Sequence, residues 1–267
     1  MASPSAELAQ SILESLGLWR LPVDPFEVAK REGIFLAEDD YPDGFDARIE
    51  HFPNGNKFGI FYASAGGWRT SGRVRFSIGH ELGHYYLPEH RTIIRSGKNH
   101  NSESDYSSRN PMEQQADDFS ADLLMPMPLF RDELNFFRNG FCTLEDLGRL
   151  AERLGTSLTS TARRYCEADR EPCTIFFSKS GLMHWGRASE DMRLKGMYWC
   201  ENNMPPPAGS KTAELWAKVA AGEPVDKLEG RVAADVWFKW PKADYLWEET
   251  MPLGGTGRVI TQLTPDD

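Results

Sequence analysis

Cysteine is sparse in this chain of 267 residues: Cys142, Cys166, Cys173 and Cys200 are the only four, and no two of them form a Cys-x-x-Cys pair. That leaves no basis for a zinc ribbon or a disulfide scaffold, so reduced thiols and a cytoplasmic setting are expected. Positive charge is also short. Lys and Arg number 30 against 40 Asp and Glu, a net charge of −10. A general nucleic-acid-binding surface is basic, so strong direct DNA binding is not expected. No stretch reaches the roughly 18 consecutive apolar residues that a membrane span requires. Residues 1–9 lack a basic stretch followed by an apolar run, so no secretory signal is expected. What remains, 40% hydrophobic and 26% charged residues, describes an ordinary globular composition with length enough for two or three units.

Histidine is rare too, with only 6 in the chain, yet two stand four apart in His80-Glu81-Leu82-Gly83-His84. Chance supplies His-Glu-x-x-His in such a composition about 0.01 times. On a helix, residues four apart share a face, so His80 and His84 can offer two imidazole nitrogens to one divalent metal. Glu81 then projects beside them, where it can take a proton from a water that the metal acidifies and return it to a leaving amine. Ile78, Leu82, Tyr85 and Leu87 give this helix an apolar side. Gly79 and Gly83 cost about 1 kcal/mol each in helix propensity, which makes sense where another element must approach closely.

Two ligands leave a hydrolytic site incomplete, since such zinc usually has three protein ligands and an open position. A second helix, from Glu113 to a break before Pro126, supplies the third in Glu113. One turn on, Asp117 can accept the other N–H of a ligand imidazole and so orient it.

The run Arg73-Val74-Arg75-Phe76-Ser77-Ile78-Gly79-His80-Glu81-Leu82-Gly83-His84, followed by Glu113-x-x-Ala116-Asp117-x-Phe119-x-Ala121-x-Leu123-Leu124-Met125-Pro126, resembles the ImmA/IrrE family of bacterial metallopeptidases. The resemblance covers roughly the first half of the chain. It implies His80, His84 and Glu113 as metal ligands, Glu81 as the catalytic carboxylate, and a gluzincin-like metallopeptidase. It also implies a substrate class: helix-turn-helix repressors, cleaved to relieve repression after DNA damage or other stress, or during mobile-element induction. Family members usually carry Asn at the position of Asp117, so the orienting role of Asp117 extends the family pattern. Zinc is the expected cofactor, and two imidazoles with one carboxylate also suit manganese or iron. The rival class is a non-catalytic metal-binding regulator or sensor that acts by binding DNA or a protein partner; the presence of Glu81, which a structural site does not need, favours the enzyme.

The expected fold is α+β: a mainly helical peptidase domain with a small sheet over residues 1–138, a helix-turn-helix-like region over 139–170, and a small, possibly sensory α+β domain over 171–267. In the first part, helices are predicted over 6–16 and, capped by Asp24-Pro25, over 25–31. A strand over 34–37 follows, then a turn at 42–44 and a hairpin of strands 47–51 and 57–62. The strand over 58–62 is a candidate to pair with an extended substrate, or else an interior strand. The polar stretch 91–111 is long enough to form a lid. Tyr106 within it, Tyr85, Tyr86 and His90 compete for the role of oxyanion donor. Residues 143–165 read as two helices about a turn, with five arginines balanced by five acids over 143–170. That balance favours a structural or protein-docking role over DNA reading. Further on, strands are predicted over 174–178, 183–188, 231–238, 245–252 and 259–263, with a helix over 211–221. Six of the eight tryptophans fall there, able to fill a core or to line a pocket.

Overall fold

A computed structural model describes residues 3–39, 46–63, 71–97, 110–135, 142–198, 202–254 and 257–266. The predicted turn at 42–44, Tyr106 with most of the stretch 91–111, His100, Trp199 and Cys200 lie outside the described residues. The fold is α+β, and the chain divides into two compact units, Met1–Phe136 with Leu150–Ser157, and Phe137–Arg149 with Leu158–Asp267.

The first unit opens with α1 (Pro4–Ser15) and α2 (Pro25–Arg31), then β1 (Phe35–Glu38), β2 (Ala47–Phe52) and β3 (Lys57–Tyr62). Next come α3 (Ser71–Tyr86), α4 (Pro88–Arg95), α5 (Pro111–Leu124) and α6 (Met127–Leu134). Three of these helices begin the same way. Ser3, Asp24 and Asn110 each accept a backbone N–H with the side chain, and the next residue is Pro4, Pro25 or Pro111. A polar cap satisfies an otherwise orphaned donor, and proline fits where its missing N–H costs nothing.

The small sheet has the order β1-β3-β2, with β1 parallel and β2 antiparallel to β3. β3 is therefore the central strand. Both its edges are already hydrogen-bonded, so it cannot pair with an extended substrate, and the interior reading of 58–62 holds. Its buried Phe58, Ile60 and Tyr62 join Leu13, Val28, Ile49, Ile78, Leu82, Phe119 and Leu123 in one core. That core clamps α3 from the apolar side and turns its histidines toward α5.

α3 and α5 pack together over much of their lengths. The two glycines permit it. A Cβ on Gly79 would stand 2.5 Å from Ser120 Oγ, and one on Gly83 would stand 3.1 Å from the Ala116 Cα. Ser120 in turn donates to the Phe76 carbonyl at 2.8 Å, tying the helices by a buried hydrogen bond.

α7 (Leu144–Leu154) and α8 (Leu158–Ala168) form the predicted pair about a turn in which Gly155 has φ +64°. Thr143 and Asp146 cap α7 reciprocally: the Thr143 N–H reaches Asp146 Oδ2 and the Asp146 N–H reaches Thr143 Oγ1, both at 3.1 Å. The boundary between the units falls within α7. In the second unit, α8 packs on β4 (Thr174–Lys179) and β5 (Leu182–Ala188), and Thr161, Ala162, Arg164 and Tyr165 are buried. Arg163 and Arg164 both pair with Glu167, at 3.3 and 3.1 Å, so their charge is engaged within their own helix.

α9 (Glu190–Leu194), α10 (Lys211–Ala220), β6 (Leu228–Ala233), α11 (Ala234–Trp237), β7 (Tyr245–Pro252) and β8 (Arg258–Pro265) complete an antiparallel sheet of order β5-β4-β8-β7-β6. The strand predicted over 231–238 ends at Ala233 instead. One helical turn follows, which swings Trp237 inward to stack on Phe176 at 4.9 Å, with its indole N–H donating to the buried Glu248 at 2.9 Å. Trp237 thus fills core, whereas Trp240 is 77% exposed.

Candidate metal centre

His80, Glu81 and His84 lie in the C-terminal half of α3, each 1% exposed or less. One helical turn brings the two rings together, with His80 Nε2 and His84 Nε2 3.1 Å apart. Glu113 reaches both from the first turn of α5: Oε2 is 3.3 Å from His80 Nε2 and Oε1 is 3.5 Å from His84 Nε2. The three donor atoms all lie within 4.8 Å of one another. Among the described residues this is the group of His, Cys, Asp and Glu able to hold a metal ion.

The electrostatics call for a cation. Burial works against a charged ring at His80, but its hydrogen bonds to the Asp117 and Glu113 carboxylates and the nearby charge of Glu81 outweigh it, pushing its pKa up to about 10. Three carboxylates around one buried ring leave negative charge that a divalent ion neutralises. Two neutral imidazoles and a carboxylate are also the donor types that zinc, manganese and iron accept. The residues present therefore fit a metal ion.

Asp117 lies on the other side of the His80 ring, its Oδ1 2.8 Å from Nδ1. His84 has a different neighbour there. α3 stops at Tyr86, Leu87 is extended at φ −72°, ψ 119°, and α4 begins at Pro88. This break carries the buried His90 back beneath α3, where its Nδ1 stands 3.0 Å from His84 Nδ1 and its Nε2 stands 2.9 Å from Gln115 Oε1. Nothing in the residue pattern marks Gln115, and His90 is at no ligand spacing.

Two other oxyanion candidates, Tyr85 and Tyr86, lie at the end of α3. The Tyr85 hydroxyl donates to Glu32 Oε2 at 3.1 Å, with Arg91 over its ring at 4.4 Å. Burial and the Glu32 carboxylate push the Tyr86 phenol far above its ordinary range, and its ring rests on Phe119 at 5.8 Å.

Residues 67–165 match the protein family described as "IrrE N-terminal-like domain", Peptidase_M78, which places all three donors within a peptidase-type domain. Among solved structures, a Mycobacterium tuberculosis transcriptional regulator is similar in fold, with a TM-score of 0.59 over 98% of this chain and 75% of its own at 14% identity. No curated protein matches. No helix among the described residues is long and apolar enough to cross a membrane.

Proposed function

We propose that this chain, which carries an IrrE N-terminal-like domain over residues 67–165, is a metal-dependent endopeptidase that cleaves a helix-turn-helix repressor and so relieves transcriptional repression. The observation that carries the reading is the convergence of His80, His84 and Glu113 with Glu81 buried among them. When bound, a divalent ion supplies Lewis acidity, which acidifies water and polarises a peptide carbonyl. His80 and His84 would hold it through Nε2, and Glu113 through its carboxylate. Asp117 keeps the His80 ring in the orientation that leaves Nε2 free for the metal. Glu81 accepts the proton of the attacking water and passes it to the departing amine. The substrate class follows from the resemblance of the two motif blocks to repressor-cleaving peptidases.

The rival reading, a non-catalytic metal-binding regulator, draws on the transcriptional regulator of similar fold. Glu81 separates the two, because holding an ion does not require it. Glu81→Gln keeps shape and metal while removing the base, so cleavage of a helix-turn-helix repressor should fall by about 10²–10⁴-fold at equal metal occupancy. Equal relief of repression in cells by wild type and Glu81→Gln would mean that the output does not pass through hydrolysis.

A further inference from the structure

We propose that His90 and Gln115 position His84 as a metal ligand by holding its imidazole in the one tautomer that leaves Nε2 with a lone pair, a role that rests on the metal-site reading above. His84 Nδ1 and His90 Nδ1 stand 3.0 Å apart, a hydrogen-bond distance at which one of them carries the proton and the other accepts it. Which one does so is decided at the outer end of the chain. His90 Nε2 faces Gln115 Oε1 at 2.9 Å, and an amide oxygen can only accept. His90 therefore carries a hydrogen on Nε2, and a neutral His90 so protonated presents a lone pair at Nδ1. The shared proton then belongs to His84 Nδ1. A neutral His84 protonated there has its lone pair on Nε2, the nitrogen that faces His80 Nε2 at 3.1 Å and Glu113 Oε1 at 3.5 Å.

The opposite polarity is also a complete hydrogen-bonded chain, and it would exclude a metal. Turning the Gln115 amide so that its NH₂ faces His90 moves the hydrogen of His90 to Nδ1, which forces the hydrogen of His84 onto Nε2. The side-chain carbonyl at position 115 thus selects a ligating site before any ion arrives. His80 receives its orientation from a charged acceptor, Asp117, and His84 from a neutral relay. His90 is 1% exposed, so water has little access to replace it. Groups that orient a ligand imidazole typically change metal affinity about 10–100-fold when removed.

The test uses full-length protein and zinc. ¹⁵N spectra of histidine-labelled protein should show His84 as the Nδ1–H tautomer both without metal and with zinc. His90→Phe keeps a ring but deletes the acceptor. Its zinc affinity, measured by competition with a chromophoric chelator, should fall about 10–100-fold, with one zinc still bound at saturation. His90→Asn returns an oxygen near the lost Nδ1 and should recover most of that loss. Gln115→Leu should split the His84 signal between tautomers. Unchanged affinity in His90→Phe, or an Nε2–H His84 in the metal-free wild type, overturns the relay. Equal losses in His90→Phe and His90→Asn would reveal packing alone and overturn it too. Wild type that binds no zinc would instead sink the metal site itself, whereas tight wild-type binding with an indifferent His90→Phe sinks only the relay.

Discussion

Oδ1 of Asp117 stands 2.8 Å from Nδ1 of His80, while the other nitrogen of that ring faces Glu113 at 3.3 Å. One buried ring is thus gripped between two acids on α5, four residues apart. On the proposed reading, Glu113 would offer a donor to the metal ion and Asp117 would fix the rotation and tautomer of the ring. Asp117→Ala should therefore weaken zinc binding about 10–100-fold in a chelator competition without changing the saturating stoichiometry. Asp117→Asn retains an acceptor and should lose less. Wild-type affinity in Asp117→Ala would show that Glu113 and the helix packing orient His80 by themselves.

A second expectation concerns the helix contact that sets this geometry. In an open helix, Gly→Ala stabilises by about 1 kcal/mol. At Gly79 the added methyl would stand 2.5 Å from Ser120 Oγ, whose hydrogen bond to Phe76 joins the two helices. Overpacking of this kind costs about 1–3 kcal/mol, so Gly79→Ala should lower stability in urea unfolding despite the better propensity. Gly79→Ala combined with Ser120→Ala should recover part of the loss. A stabilised Gly79→Ala would mean that α3 and α5 separate easily.

Much of this architecture was legible because it obeys local periods. His80 and His84 share a face since a helix repeats every 3.6 residues, and Asp24-Pro25 announces a helix start by chemistry confined to two residues. The partnership of His84 with His90 lies across the break at Leu87, where no period carries over. β3 could be read as a strand, with its interior and substrate-pairing readings left open, because order within a sheet is set by partners distant in sequence. The stretch Val232 to Phe238 has the composition of a strand. It turns helical at Ala234 because the stacking of Trp237 on Phe176 is a tertiary contact, and such contacts override propensity.

The last expectation is a pH dependence, and its sign follows from His80. In the metal-free protein burial opposes the charge, but Asp117, Glu113 and Glu81 outweigh it, and the ring is pushed up to about 10 from an ordinary 6.5. Between those two values the folded chain holds a proton that the unfolded chain has released. Stability must then fall as pH rises through that window. Below about pH 6.5 both states are protonated and the contribution is fully present; above about 10 it is gone. A bound metal takes the place of the proton, so zinc binding near neutral pH should release it, and apparent affinity should rise about tenfold per pH unit below 10. Thermal unfolding of chelator-treated protein should accordingly drop from pH 7 to 10, and more steeply for wild type than for His80→Gln. Zinc-loaded protein should show a flatter profile. If chelated wild type and His80→Gln traced parallel curves, the proton would reside elsewhere, and the acids around His80 would not be holding it there.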